Sequence, residues 1–247
     1  MRHPLRHLLR RCVILFAILF AADRLIGAGL EQLFFKQHHG DDAVTLYTLD
    51  STKEDLLIFG SSRASHHYDS RLLEKELSTS VYNCGRDEMG LSYAAAVLPI
   101  VYQRYVPKLI ILELLPVELG KRGKALSEQN IAGVLLPFAP RFPTLWPTIA
   151  YAGKDQIYKA AISKIFPYNS LIGSMVQNTY TNFGHHTDLG YEPLYKTIDT
   201  AIYKQSIWES FDKSSEPDAA LERRFADLLD TVAAKGSKII VMISPFY

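Results

Sequence analysis

The opening run of this chain restricts what it can become more than any other stretch. Residues 1–11, MRHPLRHLLRR, hold Arg2, Arg6, Arg10 and Arg11 and no acid, and residues 12–22 follow as CVILFAILFAA without a charge. Eleven residues at a 1.5 Å rise cover only about half of a ~30 Å hydrocarbon core. The apolar character resumes at Leu25 and continues to Phe35, interrupted only by Asp23–Arg24 and Glu31–Gln32. A helix over residues 8–35 is therefore long enough to span a bilayer, with Arg24 snorkelling if an interface lies near it. Two other readings stay open. A cleaved signal peptide fits the charged start, although no A-x-A site precedes Asp23, and a buried or surface-lying helix fits the short uncharged run. For an anchor, four arginines before the span predict a cytoplasmic N-terminus and an extracytoplasmic remainder. Residues 1–36 then form the basic tip and anchor, and 37–247 the folded domain.

Charge removes one large class of function. Lys+Arg 27 against Asp+Glu 26 gives a net charge of +1, without the basic excess of a nucleic-acid binder. Cys12 and Cys84 are too few for a disulfide scaffold, and no CxxC pair exists to hold zinc. No cofactor or metal is expected.

Beyond a polar junction at 36–42 (KQHHGDD), strand-like and helix-like segments alternate, and Asp41–Asp42 reads as a solvated loop. Residues 55–59 (DLLIF), 80–83 (SVYN), 108–114 (KLIILEL) and 238–244 (KIIVMIS) are the predicted strands. Predicted helices cover 69–77, capped by Asp69, and 91–105, and a further one opens near Ser215-Glu216-Pro217 and ends at Gly236. Residues 116–200 read as a helical insertion, with helices around 127–135, 148–166 and 170–178. Strands separated by helices of ten or more residues predict an α/β fold. The expected form is three layers, α/β/α, around a mostly parallel sheet covered on both faces.

In such sheets the working residues sit at the carboxyl ends of the strands. The first strand delivers Gly60-Ser61-Ser62-Arg63-Ala64, where Gly60 permits a sharp turn and a serine stands at the mouth of the next helix. Ser61 or Ser62 is a chemically sensible nucleophile there; the plainer alternative is that both cap the turn. His66 lies one helical turn after Ser62, better placed than His67 to touch it or a substrate, unless both are simply solvated rim residues. Arg63 is a candidate partner for an anionic substrate group. His185 and His186, in the glycine-flanked loop FGHHTDLG, could fold over the cleft. A metal site from His185, His186 and Asp188 is disfavoured, because adjacent ligands rarely chelate one ion well. The tyrosines at 151–203 could stack on sugar rings, and ordinary packing accounts for them equally. Cys84 reads as a small buried residue.

The segments LLIFGSSRASHHYDSRLLEKEL, VYNCGRDEMG and VPKLIILELLPVEL, in that order and spacing, resemble the SGNH (GDSL-like) hydrolase superfamily. The similarity is greatest to its membrane-anchored members in bacterial cell envelopes and covers about residues 20–245, including the anchor and GYEPL at 190–194. The resemblance implies that Ser62 is the nucleophile, with Ser61 at the position usually held by aspartate. It implies an oxyanion hole from the Ser62 N–H and the Gly85 or Gly90 N–H, with Glu88 where a donor glycine is expected. It also implies bacterial inner-membrane anchoring, with ester or acyl-transfer chemistry on envelope glycans outside the cytoplasm. Glu113-Leu114-Leu115-Pro116 replaces the usual asparagine block, and no D-x-x-H motif occurs in the chain. Residues 66–69 and 185–188 carry only the reversed H-x-x-D order. The expectation is therefore either a chain shortened at its C-terminus or an inactive relative. The competing functional class is a non-catalytic anchored domain that binds glycan or protein through the same cleft.

Overall fold

The computed structural model describes residues 4–121, 130–181, 188–195 and 216–244. The opening run is one continuous helix, α1 (Pro4–Phe34), within which Leu5–Phe34 is long and apolar enough to cross a membrane, as an anchor or a signal sequence does. Its first half projects from the protein, with Leu5, Val13, Phe16 and Phe20 exposed, whereas Phe34 is buried in the core. A core helix would bury those side chains, and here they stay exposed. The charged interruption marks the change. Asp23 accepts hydrogen bonds from Ser163 Oγ (2.5 Å) and Lys164 N (2.8 Å), and Arg24 donates to the Ile162 carbonyl (2.7 Å). Arg24 thus docks a second segment onto α1.

A second helix, α2 (Gly40–Asp50), occupies the region where a solvated loop was expected. Asp42 is buried in its first turn and pairs with the buried Arg86 guanidinium (2.7 Å), which also donates to the Asp41 carbonyl and to Thr45 Oγ1. Asp42 in HHGDD thus belongs to an internal ion pair, whereas His38 is exposed. Arg86 supplies the partner of Asp42 from 44 residues away.

The sheet consists of β1 (Leu56–Phe59), β2 (Val81–Asn83), β3 (Leu109–Glu113) and β4 (Lys238–Met242), each inside a predicted strand. All pairings are parallel and the order is β2-β1-β3-β4. From β1 to β2 the chain passes through α3 (Ser62–His67) and α4 (Ser70–Leu77); Asp69 caps α4 by accepting from Leu72 N (3.0 Å). Between β2 and β3 runs α5 (Leu91–Val101). The region after β3 holds α6 (Trp146–Ala152), α7 (Lys154–Ile162) and α8 (Ile172–Tyr180), so the single helix expected around 148–166 is two, divided at Gly153; of the helix expected around 127–135, residues 127–129 lie outside the described residues. The last helix, α9 (Ala219–Lys235), is capped by Asp218, which accepts from Ala220 N and Leu221 N, and ends at Gly236 with φ +84°.

Alternation along β1 divides the core. Leu57 and Phe59 face a large cluster with Val97, Leu98, Ile149, Tyr168, Leu228 and Val232, whereas Leu56 and Ile58 join Ala64, Val81 and Ile111 in a small one beneath α3 and α4. Coverage stops at the β4 edge, where Ile240, Val241 and Met242 are all exposed. Among the described residues, side chains pack on both faces of the sheet at β1 and not at β4.

Candidate active site

The carboxyl ends of the four parallel strands bring Ser62, Arg63, His66, Asp87, Glu113 and Ser244 into one neighbourhood. Gly60 makes the turn out of β1 with φ +154°, and a Cβ there would lie 2.8 Å from the Glu113 carbonyl and from the Ala64 side chain. Only glycine passes that point without displacing β3 or α3. Ser61 then caps α3, its Oγ accepting weakly from Arg63 N (3.5 Å). The capping reading of Ser61 is thus what its geometry shows, and Ser62 becomes the first helical residue. Ser62 is half-buried. Among the described residues, neither its Oγ nor its N–H makes a hydrogen bond.

Its polar neighbours are all engaged. Arg63 forms an ion pair with Glu113 and donates to the Ser244 carbonyl (3.0 Å). Glu113 is fully buried at the end of β3, and its other oxygen, Oε2, has no hydrogen-bond partner among the described residues. Burial pushes its carboxyl above the ordinary range, while the Arg63 charge pulls it back. The guanidinium proposed as a substrate contact thus ties together the ends of β1, β3 and β4. Ser244 Oγ also meets Tyr68 OH at 3.1 Å.

His66 has both ring nitrogens occupied: Nδ1 lies 2.7 Å from the Glu192 carbonyl and Nε2 lies 3.3 Å from Asp87 Oδ1. The Asp87 hydrogen bond raises its pKa to about 9, against the opposing effect of burial. An imidazolium with both N–H groups donating cannot accept a proton from a serine. Ser65 Oγ lies 3.0 Å from the same Asp87 oxygen and 3.1 Å from the Ser62 carbonyl, two acceptors that share its single proton. Glu192 belongs to the 190–194 stretch, which packs on α3 and β2: Glu192 N donates to the Ser65 carbonyl and Asn83 N to the Leu189 carbonyl. Gly190, with φ +80°, sits directly on the Asn83 backbone.

The two candidate oxyanion glycines differ. The Gly85 N–H donates to Asn83 Oδ1 (2.9 Å), and a Cβ on Gly85 would lie 2.6 Å from Ser65 N. Its role in this geometry is close packing of the β2 end against α3. Gly90 caps α5, and its N–H makes no hydrogen bond among the described residues. A Cβ there would strike Glu118 Oε2, an oxygen that itself has no partner among the described residues. Burial raises the Glu118 carboxyl to about 7, so near neutrality it is partly protonated and a weaker rival for a developing oxyanion. Glu88 adopts φ +60°, a backbone that favours glycine, and its exposed carboxylate accepts from Asn130. His185 and His186 lie outside the described residues. Among the described residues no three His, Cys, Asp or Glu side chains cluster to hold a metal ion. Cys84 is wholly buried and its thiol is pushed up to about 12.

Asp87, Glu118 and Glu192 were not singled out from the sequence as partners of this neighbourhood. One signal was present for Glu113: a carboxylate ending the apolar strand KLIILEL requires a buried cation. No family model, curated protein or solved structure matches the chain.

Proposed function

We propose that this is a membrane-anchored, SGNH-like domain whose Ser62 carries ester or acyl-transfer chemistry on cell-envelope glycans. In this reading α1 crosses a bacterial inner membrane with its N-terminus in the cytoplasm, and the α/β/α domain stands outside. One observation carries the choice of residue. At the carboxyl end of β1, Ser61, Arg63, Ser65 and His66 are all engaged, and Ser62 Oγ alone among these neighbours makes no hydrogen bond to a described residue. Ser62 Oγ attacks the ester carbonyl and gives its proton to solvent water; the N–H groups of Ser62 and Gly90 receive the oxyanion, whose collapse breaks the ester C–O bond and releases the alcohol, reprotonated from water. His66 is held as a cation and orients the Asp87–Ser65 cluster; it does not serve as the base.

The non-catalytic reading has its own support in the engaged Gly85 N–H, Arg63 and His66. Hydrolysis of p-nitrophenyl acetate by the detergent-solubilised full chain separates the two. Oxyanion stabilisation and binding without a complete triad leave on the order of 10³-fold acceleration over water. Slow p-nitrophenol release that falls to the buffer rate in Ser62→Ala supports the serine site. Release at the buffer rate in both chains leaves the binding-domain reading.

A further inference from the structure

A cavity of about 380 Å³ lies between α1, α6 and α7, away from the serine. Its wall is apolar, with Leu136, Trp146, Ile157 and Ala160 among the lining residues. Its charged lining groups, Glu31 and Lys164, pair with each other at 2.9 Å. A water-facing pocket for a polar metabolite would carry convergent polar groups, and this one does not.

Its position relative to α1 is unusual. The projecting part of α1, Leu5 to Ala22, is 22 − 4 = 18 residues, or about 27 Å, close to the thickness of a bilayer's hydrocarbon core. The outer interface then falls at Asp23–Arg24, where α1 is bonded to Ile162, Ser163 and Lys164 at the end of α7. Gly27 allows this docking: a Cβ there would lie 2.6 Å from the Lys164 carbonyl carbon. Glu31 is 31 − 23 = 8 residues further, about 12 Å along the helix. The cavity thus sits within a headgroup's reach of the bilayer. Next to it, Ile162 (77% exposed), Tyr158 (69%) and Leu25 (75%) lie bare on α7 and α1, two of the three helices that wall it. Tyr158 and Ile162 are four residues apart, on one face of α7. Apolar and tyrosine side chains at this level match the membrane interface.

We propose that this cavity binds an acyl chain of a bilayer lipid, with α7 resting on the bilayer through Tyr158 and Ile162. This inference rests on the reading of α1 as a membrane anchor. It gives the domain a second attachment, which fixes its orientation over the bilayer instead of leaving it to swing on one helix.

The test uses Trp146 as the reporter. The chain has two tryptophans, so the full chain carrying Trp208→Phe leaves Trp146 alone. It is reconstituted into phosphatidylethanolamine–phosphatidylglycerol vesicles whose acyl chains carry bromine, a contact quencher of indole. Co-flotation with the vesicles, resistant to alkaline extraction, reports the anchor separately. The expected result is loss of Trp146 emission relative to unbrominated vesicles, relieved by added oleate and abolished by Ala160→Phe, with flotation unchanged in every case. Flotation without quenching overturns the acyl-chain site and leaves the anchor standing. Quenching that neither oleate nor Ala160→Phe relieves also overturns it, because Trp146 would then only be touching the bilayer. Failure to float overturns both.

Discussion

Removing the Arg63 guanidinium should reveal how strongly the sheet's carboxyl end depends on one buried ion pair. Arg63→Met keeps an unbranched stem but leaves Glu113, a carboxylate with 0% of its side chain exposed, with Ser244 as its remaining polar neighbour among the described residues, its N–H at 3.5 Å. Breaking a buried pair on one side costs about 3–5 kcal/mol, whereas replacing both partners by packed apolar groups is close to neutral. At about 2–4 °C per kcal/mol for a chain of this size, Arg63→Met should lose roughly 6–20 °C in Tm. Arg63→Met/Glu113→Leu should recover most of that loss, giving a coupling of about 2–3 kcal/mol. Acidity supplies an internal check. Burial already holds the Glu113 carboxyl above its ordinary 4.5, and without Arg63 it rises further. The penalty is therefore largest at neutral pH and shrinks as pH falls towards 4.5, where the unfolded chain's glutamate also takes up its proton. Near-UV circular dichroism melting of the full chain in detergent, at pH 7 and pH 5, reads both effects. Additive single losses in the double variant, or an Arg63→Met loss that does not change with pH, would refute the buried-pair argument. In that event Arg63 would again be available to substrate.

Three further outcomes follow from local geometry. Glu88 holds φ +60° with an exposed side chain, so Glu88→Gly should raise stability by about 1 kcal/mol, and a lower Tm would show that the Asn130 contact outweighs the backbone relief. The His66 pKa of about 9 against 6.5 means that the Asp87 pair stabilises fully below pH 6.5, and this contribution is lost as pH rises through 9. Because Asp87 is 48% exposed, solvent screening reduces the gain to about 1–2 kcal/mol; His66→Gln should flatten the stability profile between pH 6.5 and 9. Cys84 should resist maleimide in the folded chain at pH 7.5 and react only after unfolding, given its complete burial and a thiol pKa of about 12. Mass-spectrometric detection of native labelling at Cys84 would place it nearer solvent than its burial allows.

The elements that announced themselves were those with local signals. Asp69 before α4, Gly236 after α9 and the unbroken apolar runs of β1 and β3 specify their own ends by capping or by the loss of helical freedom. The helix α2 did not, because GDDAVTLYTLD has β-branched residues and a polar start, and its stability comes from the Asp42–Arg86 pair and the buried Thr45–Tyr93 hydrogen bond (2.9 Å). At the site, the Gly60–Ser62 turn was visible because strand, glycine and serine are consecutive. The state of His66 was not, since it is set by Asp87, 21 positions on, and by the Glu192 carbonyl, 126 positions on. Ser62 and His66 do share the helix α3, four residues apart. What decided the chemistry of His66 was long-range hydrogen bonding that spacing does not encode.

The central claim is that Ser62, among the three serines and two histidines crowded at the end of β1, is the nucleophile. Tandem mass spectrometry of the membrane-embedded chain after fluorophosphonate treatment tests it most directly. The expected spectrum carries the phosphonyl adduct on Ser62, with no labelled peptide in Ser62→Ala. An adduct on Ser61 or Ser65, or a chain that stays unlabelled throughout, would contradict the claim.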